Sequence, residues 1–265
     1  MKLRNAIFIF TIFSASALCI HAATHGPISH FFVHIEMIDG AHAASPSPSG
    51  KPGADKCSYF NPVLFKTGTT YKIVTRSADS ANNLETGTRI STVVGTAIFR
   101  GHKVIDIRQQ AHNVSPFHNV SSTSDLYYKT SSNYVYSYGS KFPGGETYSD
   151  PPISSQTNYA VNIPYNETYH VFNNGHTKGH NYQYGYIVHM TTTFLGMESI
   201  TVPAGTFITC KLRQITDLVG TKSHQIEYEW IVSSGRFMGI QIKSMGHNQG
   251  VSFSSEVLTV QINGK

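Results

Sequence analysis

The side chains of this chain that could do chemistry are a pair of glutamates, a scatter of histidines and two runs of alternating tyrosines. Glu227 and Glu229 are two residues apart. On a strand both carboxyls would share a face about 7 Å apart by strand rise, a separation that paired-carboxylate glycoside hydrolysis can use. Tyr228 and Trp230 would then take the core face, and a solvated carboxylate face is the plainer reading. Of the 14 histidines, His176 and His180 are four apart, with His170 and His189 nearby. On a helix that spacing could hold a metal. Gly175 and Gly179 argue against a helix, and no glutamate completes a zinc-protease pattern, so no metal site is expected. Ser223-His224 lies close to Glu227, but residues 224 and 227 point to opposite faces of a strand, and there is no Gly-x-Ser-x-Gly elbow. Phosphate loops and dinucleotide fingerprints are absent. No catalytic residue and no cofactor are assigned.

The tyrosines carry the remaining signal. Tyr182, Tyr184 and Tyr186 fall on one face of a strand, and Tyr134, Tyr136 and Tyr138 repeat the pattern. An aromatic ladder on a curved sheet can line a ligand groove; cross-strand packing is the alternative. Tyr182, Tyr184, Tyr186, Tyr134 and Tyr136 are therefore the ligand-binding candidates. Their expected partner is a lipid or another amphipathic small molecule.

The elements that must position them have period two. Thr70–Arg76, Arg89–Arg100, Lys103–Gln109, Leu126–Lys129 and Tyr134–Tyr138 read as strands. Pro143, Gly144, Gly145, Pro151 and Pro152 mark 139–158 as loop. Strands resume at Tyr159–Ile163, Tyr169–Phe172 and Tyr182–Leu195, then Glu198–Val202, Thr206–Asp217, Gln225–Val232, Phe237–Ser244 and Val251–Ile262. Val202-Pro203-Ala204-Gly205-Thr206-Phe207 has the chemistry of a three-residue hairpin loop. The expected fold is all-β, a single curved antiparallel sheet or half-open barrel of about ten strands. Phe31–Met37 is apolar enough to form a short helix or a strand, and it is the candidate for a single short helix.

The ends bound the compartment. Lys2 and Arg4 precede an apolar run from Ala6 to Ile20, too short to span a bilayer and suited to a signal peptide over residues 1–23. Cys19 raises lipidation as an alternative. Residues 24–56 form a Ser/Pro/Gly-rich leader, and 57–265 the β domain. No later segment is apolar enough for a transmembrane helix. Charged residues are 13 % of the chain, about half the usual share, and without Lys2 and Arg4 the formal charge falls from +5 to +3. The cations are scattered, which excludes a nucleic-acid footprint. Cys57 and Cys210 are the cysteines left after residue 23, and an even count in an exported chain suggests a disulfide, with two buried thiols as the alternative. The chain is expected in the periplasm or secreted, associated with the cell envelope.

The run Cys57-Ser58-Tyr59-Phe60-Asn61-Pro62-Val63-Leu64, followed by Gly68-Thr69-Thr70-Tyr71, resembles the opening of a group of bacterial exported proteins of unknown function. Glu198–Lys211, with its V-P-A-G-T-F-x-x-C-K signature, resembles their most recognisable stretch. Tyr228–Val232 with Gly235 and Gly239–Lys243 resembles a paired strand of theirs. Such proteins are similar to LolA/LolB-like half-barrel periplasmic carriers. The resemblance implies a half-barrel and binding of a hydrophobic ligand on a concave face; it brings no catalytic residues. A structural or protein-interaction module at the envelope, pairing through a sheet edge, is the alternative. An envelope hydrolase is third.

Overall fold

The structure is a computed structural model and describes residues 8–10, 17–19, 56–81, 83–177 and 180–263. Strands β1 (Phe8–Phe10) and β2 (Ala17–Cys19) pair with each other. The rest of the signal segment and the leader, including Phe31–Met37, lie outside the described residues.

Twelve antiparallel strands close into a barrel. In chain order they are β4 (Thr70–Asp79), β5 (Leu84–Phe99), β6 (His102–Ser115), β7 (His118–Thr130), β8 (Tyr134–Phe142), β9 (Gly145–Gln156), β11 (Pro164–Thr177), β12 (His180–Val202), β13 (Gly205–Leu218), β14 (His224–Val232), β15 (Gln241–Asn248) and β16 (Val251–Ile262). Neighbours in sequence are neighbours in space, and β16 pairs with β4 to close the ring. The expected half-open sheet of about ten strands is thus corrected to a closed barrel of twelve. Closure removes sheet edges, which are otherwise pairing sites.

Two local features depart from the sequence reading. The stretch 139–158 is mostly strand, not loop. Pro151 and Pro152 lie within β9, where they can be tolerated because β9 pairs with β11 only over Gly145–Asp150. Beyond that point the seam between β9 and β11 is stitched by a side chain: Glu167 Oε1 accepts from the Ser154 N–H at 2.8 Å and its hydroxyl at 2.6 Å. The connection after Val202 is shorter than expected, because Val202 pairs with Gly205 across two residues, Pro203 and Ala204. At the β5–β6 turn, Arg100 and Gly101 both take positive φ, 48° and 82°, the mirror-image turn that suits twisted strands.

Which face looks inward follows from register, because directly opposed residues share a face. Val93, Ile107, Leu126, Ser140, Thr147, Asn173 and Tyr184 are opposed in series from β5 to β12. Val93 and Ile107 are buried in the main core, so this row lines the lumen. The outward row Lys211, Trp230, Lys243, Glu256 and Arg76 runs across β13 to β4. A lipid-facing band would need apolar residues there.

The two rims differ. One gathers the β7–β8, β12–β13 and β14–β15 connections, while the β5–β6 turn packs against β7–β9, with Phe99 stacked on Tyr127 and Arg100 over Tyr148. That rim is closed by a 3-10 turn at Pro62–Phe65, whose Leu64 and Phe65 pack into the main core, and by a ribbon of β3 (Lys56–Ser58) with β10 (Asn158–Ala160). A Cys57–Cys210 disulfide ties that ribbon to β13, as the cysteine count suggested. The opposite rim carries the β4–β5, β6–β7, β8–β9, β11–β12, β13–β14 and β15–β16 turns.

Candidate functional site

The tyrosine candidates separate into two places. Tyr182, Tyr184 and Tyr186 are opposed to Gly175, Asn173 and Val171 on the lumen side of β12. Tyr182 and Tyr184 stack, with ring centroids 5.9 Å apart. Tyr134 and Tyr136 lie on the face opposite Val135, a lumen core residue, and Tyr134 contacts Tyr165 near the seam at the other rim. The two tyrosine runs therefore do not form one groove. A closed barrel turns one run inward and leaves the other outside.

At the open rim the β8–β9 and β11–β12 hairpins lie side by side and line a shallow, open mouth of about 630 Å³. Phe142, Tyr182, Asn174, Asn181, Gln183 and His176 line it, with Lys141, Glu146 and the backbone of Gly144, Gly145 and Gly175. Gly175 allows the arrangement: a Cβ there would sit 2.3 Å from the Tyr182 hydroxyl, so only glycine lets the ring lie against the neighbouring strand. His176 Nδ1 and Asn181 Oδ1 are 2.8 Å apart. Glu146 pairs with Arg100 at 2.6 Å, and Arg100 lies over the Tyr148 ring, 3.6 Å from its centroid. Below the mouth, Tyr186, Val171, Val188, Tyr169, Leu126 and Thr147 enclose a second space of only about 40 Å³, room for about one water.

The acidic pair is the largest reversal. Glu227 and Glu229 face the lumen and are 1 % and 0 % exposed. They are opposed to Gln214 and Leu212 on one side, and to Gly246 and Ser244 on the other. Gln225 donates to Glu227 at 3.1 Å. Both Glu229 oxygens and one Glu227 oxygen have no hydrogen-bond partner. Burial pushes the Glu227 carboxyl up to about 7, against the pull of bonds to Ser244 and Gln225. Burial, and then its neighbour's charge, raises Glu229 well above the usual range. The expected solvated face is wrong because the outward partner, Trp230, has its own cover. It is 4 % exposed, lies 5.2 Å from both Lys211 and Lys243, and donates from Nε1 to Glu198 at 2.8 Å. Burial raises Glu198, but the bonds from Trp230 and Lys211 together outweigh it and hold the carboxyl below its ordinary value. Neither Glu227 nor Glu229 lines the mouth.

The histidines do not assemble. His176 and His180 sit on opposite strands of one hairpin, with Thr177 opposed to His180. His224 bonds Asp217 at 2.6 Å, across the β13–β14 ladder from Ser223's end of the turn. Among the described residues no group of three or more His, Cys, Asp or Glu could hold a metal ion, and no helix is long and apolar enough to cross a membrane.

The sequence reading missed most of the mouth. Phe142, Gly144, Gly145 and Glu146 fell inside the stretch read as loop, and Asn174, Asn181 and Gln183 carry no motif. The usable signal was the glycine opposed to Tyr182, which register alone reveals.

No protein-family model and no curated protein matches the chain. Two solved structures are similar to it. One is a candidate lipoprotein of Parabacteroides distasonis, 14 % identical, covering 77 % of this chain and 99 % of that one, with a TM-score of 0.39. The other is a candidate exported protein with a YmcC-like fold from Bacteroides fragilis, 10 % identical, covering 77 % of this chain and 100 % of that one, also at 0.39. At that score neither likeness carries an argument about this chain.

Proposed function

We propose that the chain is an exported, non-enzymatic β-barrel of the cell envelope that binds a small amphipathic ligand at the open rim. The observation that supports this best is the open mouth of about 630 Å³ over Tyr182, at the head of the lumen-facing tyrosines. That volume lies within the range of small-molecule sites, which combine apolar or aromatic walls with a few placed polar groups. The ligand sits at the rim rather than on a concave sheet, since the barrel is closed and the space beneath is small. Binding is favoured over hydrolysis because the acidic pair is sealed in the lumen away from the mouth. Pairing of a partner through a sheet edge loses its basis for most of the ring, whose edges are joined.

Native mass spectrometry of the oxidised protein purified from its own envelope tests the reading. The wild type carries a bound small molecule and Tyr182→Ala does not. Equal occupancy of both proteins would overturn the mouth as the site.

A further inference from the structure

We infer that the mouth is a saccharide site. This rests on the mouth being the ligand site at all, and adds the class of ligand. Three features of the lining lead there. The aromatic surface is a flat ring, Tyr182, fixed from two sides: it stacks on Tyr184 and rests against Gly175, with a second ring, Phe142, in the same lining. A fixed aromatic face suits the C–H face of a sugar ring, which buries apolar area without needing an enclosed tunnel. The polar groups around it are mainly neutral: the amides of Asn174, Asn181 and Gln183, with His176 beside Asn181. Gln183 offers donors and an acceptor, while Asn174 and Asn181 offer amide donors, since the Asn174 oxygen is buried and the Asn181 oxygen faces His176; a sugar hydroxyl is itself both donor and acceptor. Of the charges nearby, Glu146 is engaged within the protein. Glu146 holds Arg100, and Lys141 stands opposite Glu146 across the β8–β9 ladder with its ammonium 5.8 Å from the Phe99 ring.

An acyl chain fits poorly. Its affinity comes from enclosing methylenes, each contributing about 0.8 kcal/mol when buried. The mouth offers two rings among amides, and the space beneath it is about 40 Å³. A chain of several methylenes finds no enclosed tunnel beneath the mouth.

The test is calorimetric titration of the oxidised protein, wild type and Tyr182→Ala, with two kinds of probe. The first is a panel of neutral trisaccharides: maltotriose, cellotriose, xylotriose and chitotriose. The second is lysophosphatidylcholine below its micelle concentration. The inference expects saturable binding of at least one trisaccharide, weakened tenfold or more in Tyr182→Ala and within threefold of wild type in Tyr182→Phe, which keeps the ring. Lysophosphatidylcholine gives no heat beyond dilution. Lysolipid binding that is lost in Tyr182→Ala, with no trisaccharide binding, would overturn the saccharide class while leaving the mouth as the site. Trisaccharide binding indifferent to Tyr182→Ala would place saccharide elsewhere and also overturn the inference. Binding of neither probe would count against both the class and the mouth. If Tyr182→Ala loses its cooperative melt, Gln183→Ala takes its place, with a loss of at least threefold expected.

Discussion

Replacing Glu229 by glutamine isolates the cost of the buried carboxyl pair. An unfolded glutamate ionises near 4.5, whereas Glu227 in the barrel keeps its proton to about 7. Between those values the folded state binds more protons than the unfolded one. Stability therefore falls as pH rises from about 4.5 to 7, by on the order of 3 kcal/mol for Glu227, and Glu229 carries the decline further. Melting temperatures of wild type and Glu229→Gln should be close at pH 5, and the variant should melt higher at pH 8. Parallel curves would contradict the burial of the pair. The alternation that places Glu227 and Glu229 on one face was legible in the sequence. Which face looks inward was not, because both faces of β14 are buried here: Trp230 belongs to the main core cluster although it stands on the face opposite Glu229. Lysine stems can cover an outward ring, so an outward tryptophan can be nearly as buried as an inward one.

At the scale of elements, β9 shows why 139–158 was misread. Proline and glycine ordinarily punctuate strands, but Pro151 and Pro152 stand where β9 has already parted from β11 and no ladder donor is needed. Glu167 takes over that role by accepting from Ser154. Glu167→Ala should speed hydrogen exchange of the Ser154 amide tenfold or more while leaving β5–β6 amides unchanged; unaltered exchange at Ser154 would show that the stitch does not hold the seam. The other long-range fastening was predictable from counting. The Cys57–Cys210 bridge spans 153 residues, and on the chain-entropy model a loop of that size is worth about 5 kcal/mol, an upper figure. Cys57→Ala/Cys210→Ala should lose 2–5 kcal/mol in urea unfolding. A loss below 1 kcal/mol would mean the ribbon is held by its packing around Tyr59 and Tyr159 alone.

For the whole molecule, closure is the property that local pattern could not supply. Most of the strands could be read from alternation, and the meander order follows from their spacing. The ring depends on β16 meeting β4, a pairing of Ile262 with Tyr71 that no hairpin signal announces. Closure also decides where the candidate residues stand. It turns Tyr182, Tyr184 and Tyr186 inward, sends Tyr134 and Tyr136 out, and sets two glycine-containing hairpins side by side as a mouth. The most direct measurement of that account is a two-dimensional amide spectrum of labelled, oxidised protein, recorded before and after adding the small-molecule fraction extracted from its own envelope. The account predicts shifts concentrated at Phe142, Gly145, Asn174, Gly175, Asn181 and Tyr182. Shifts confined to the closed rim, around Tyr134, Tyr136 and the Cys57 ribbon, would contradict it.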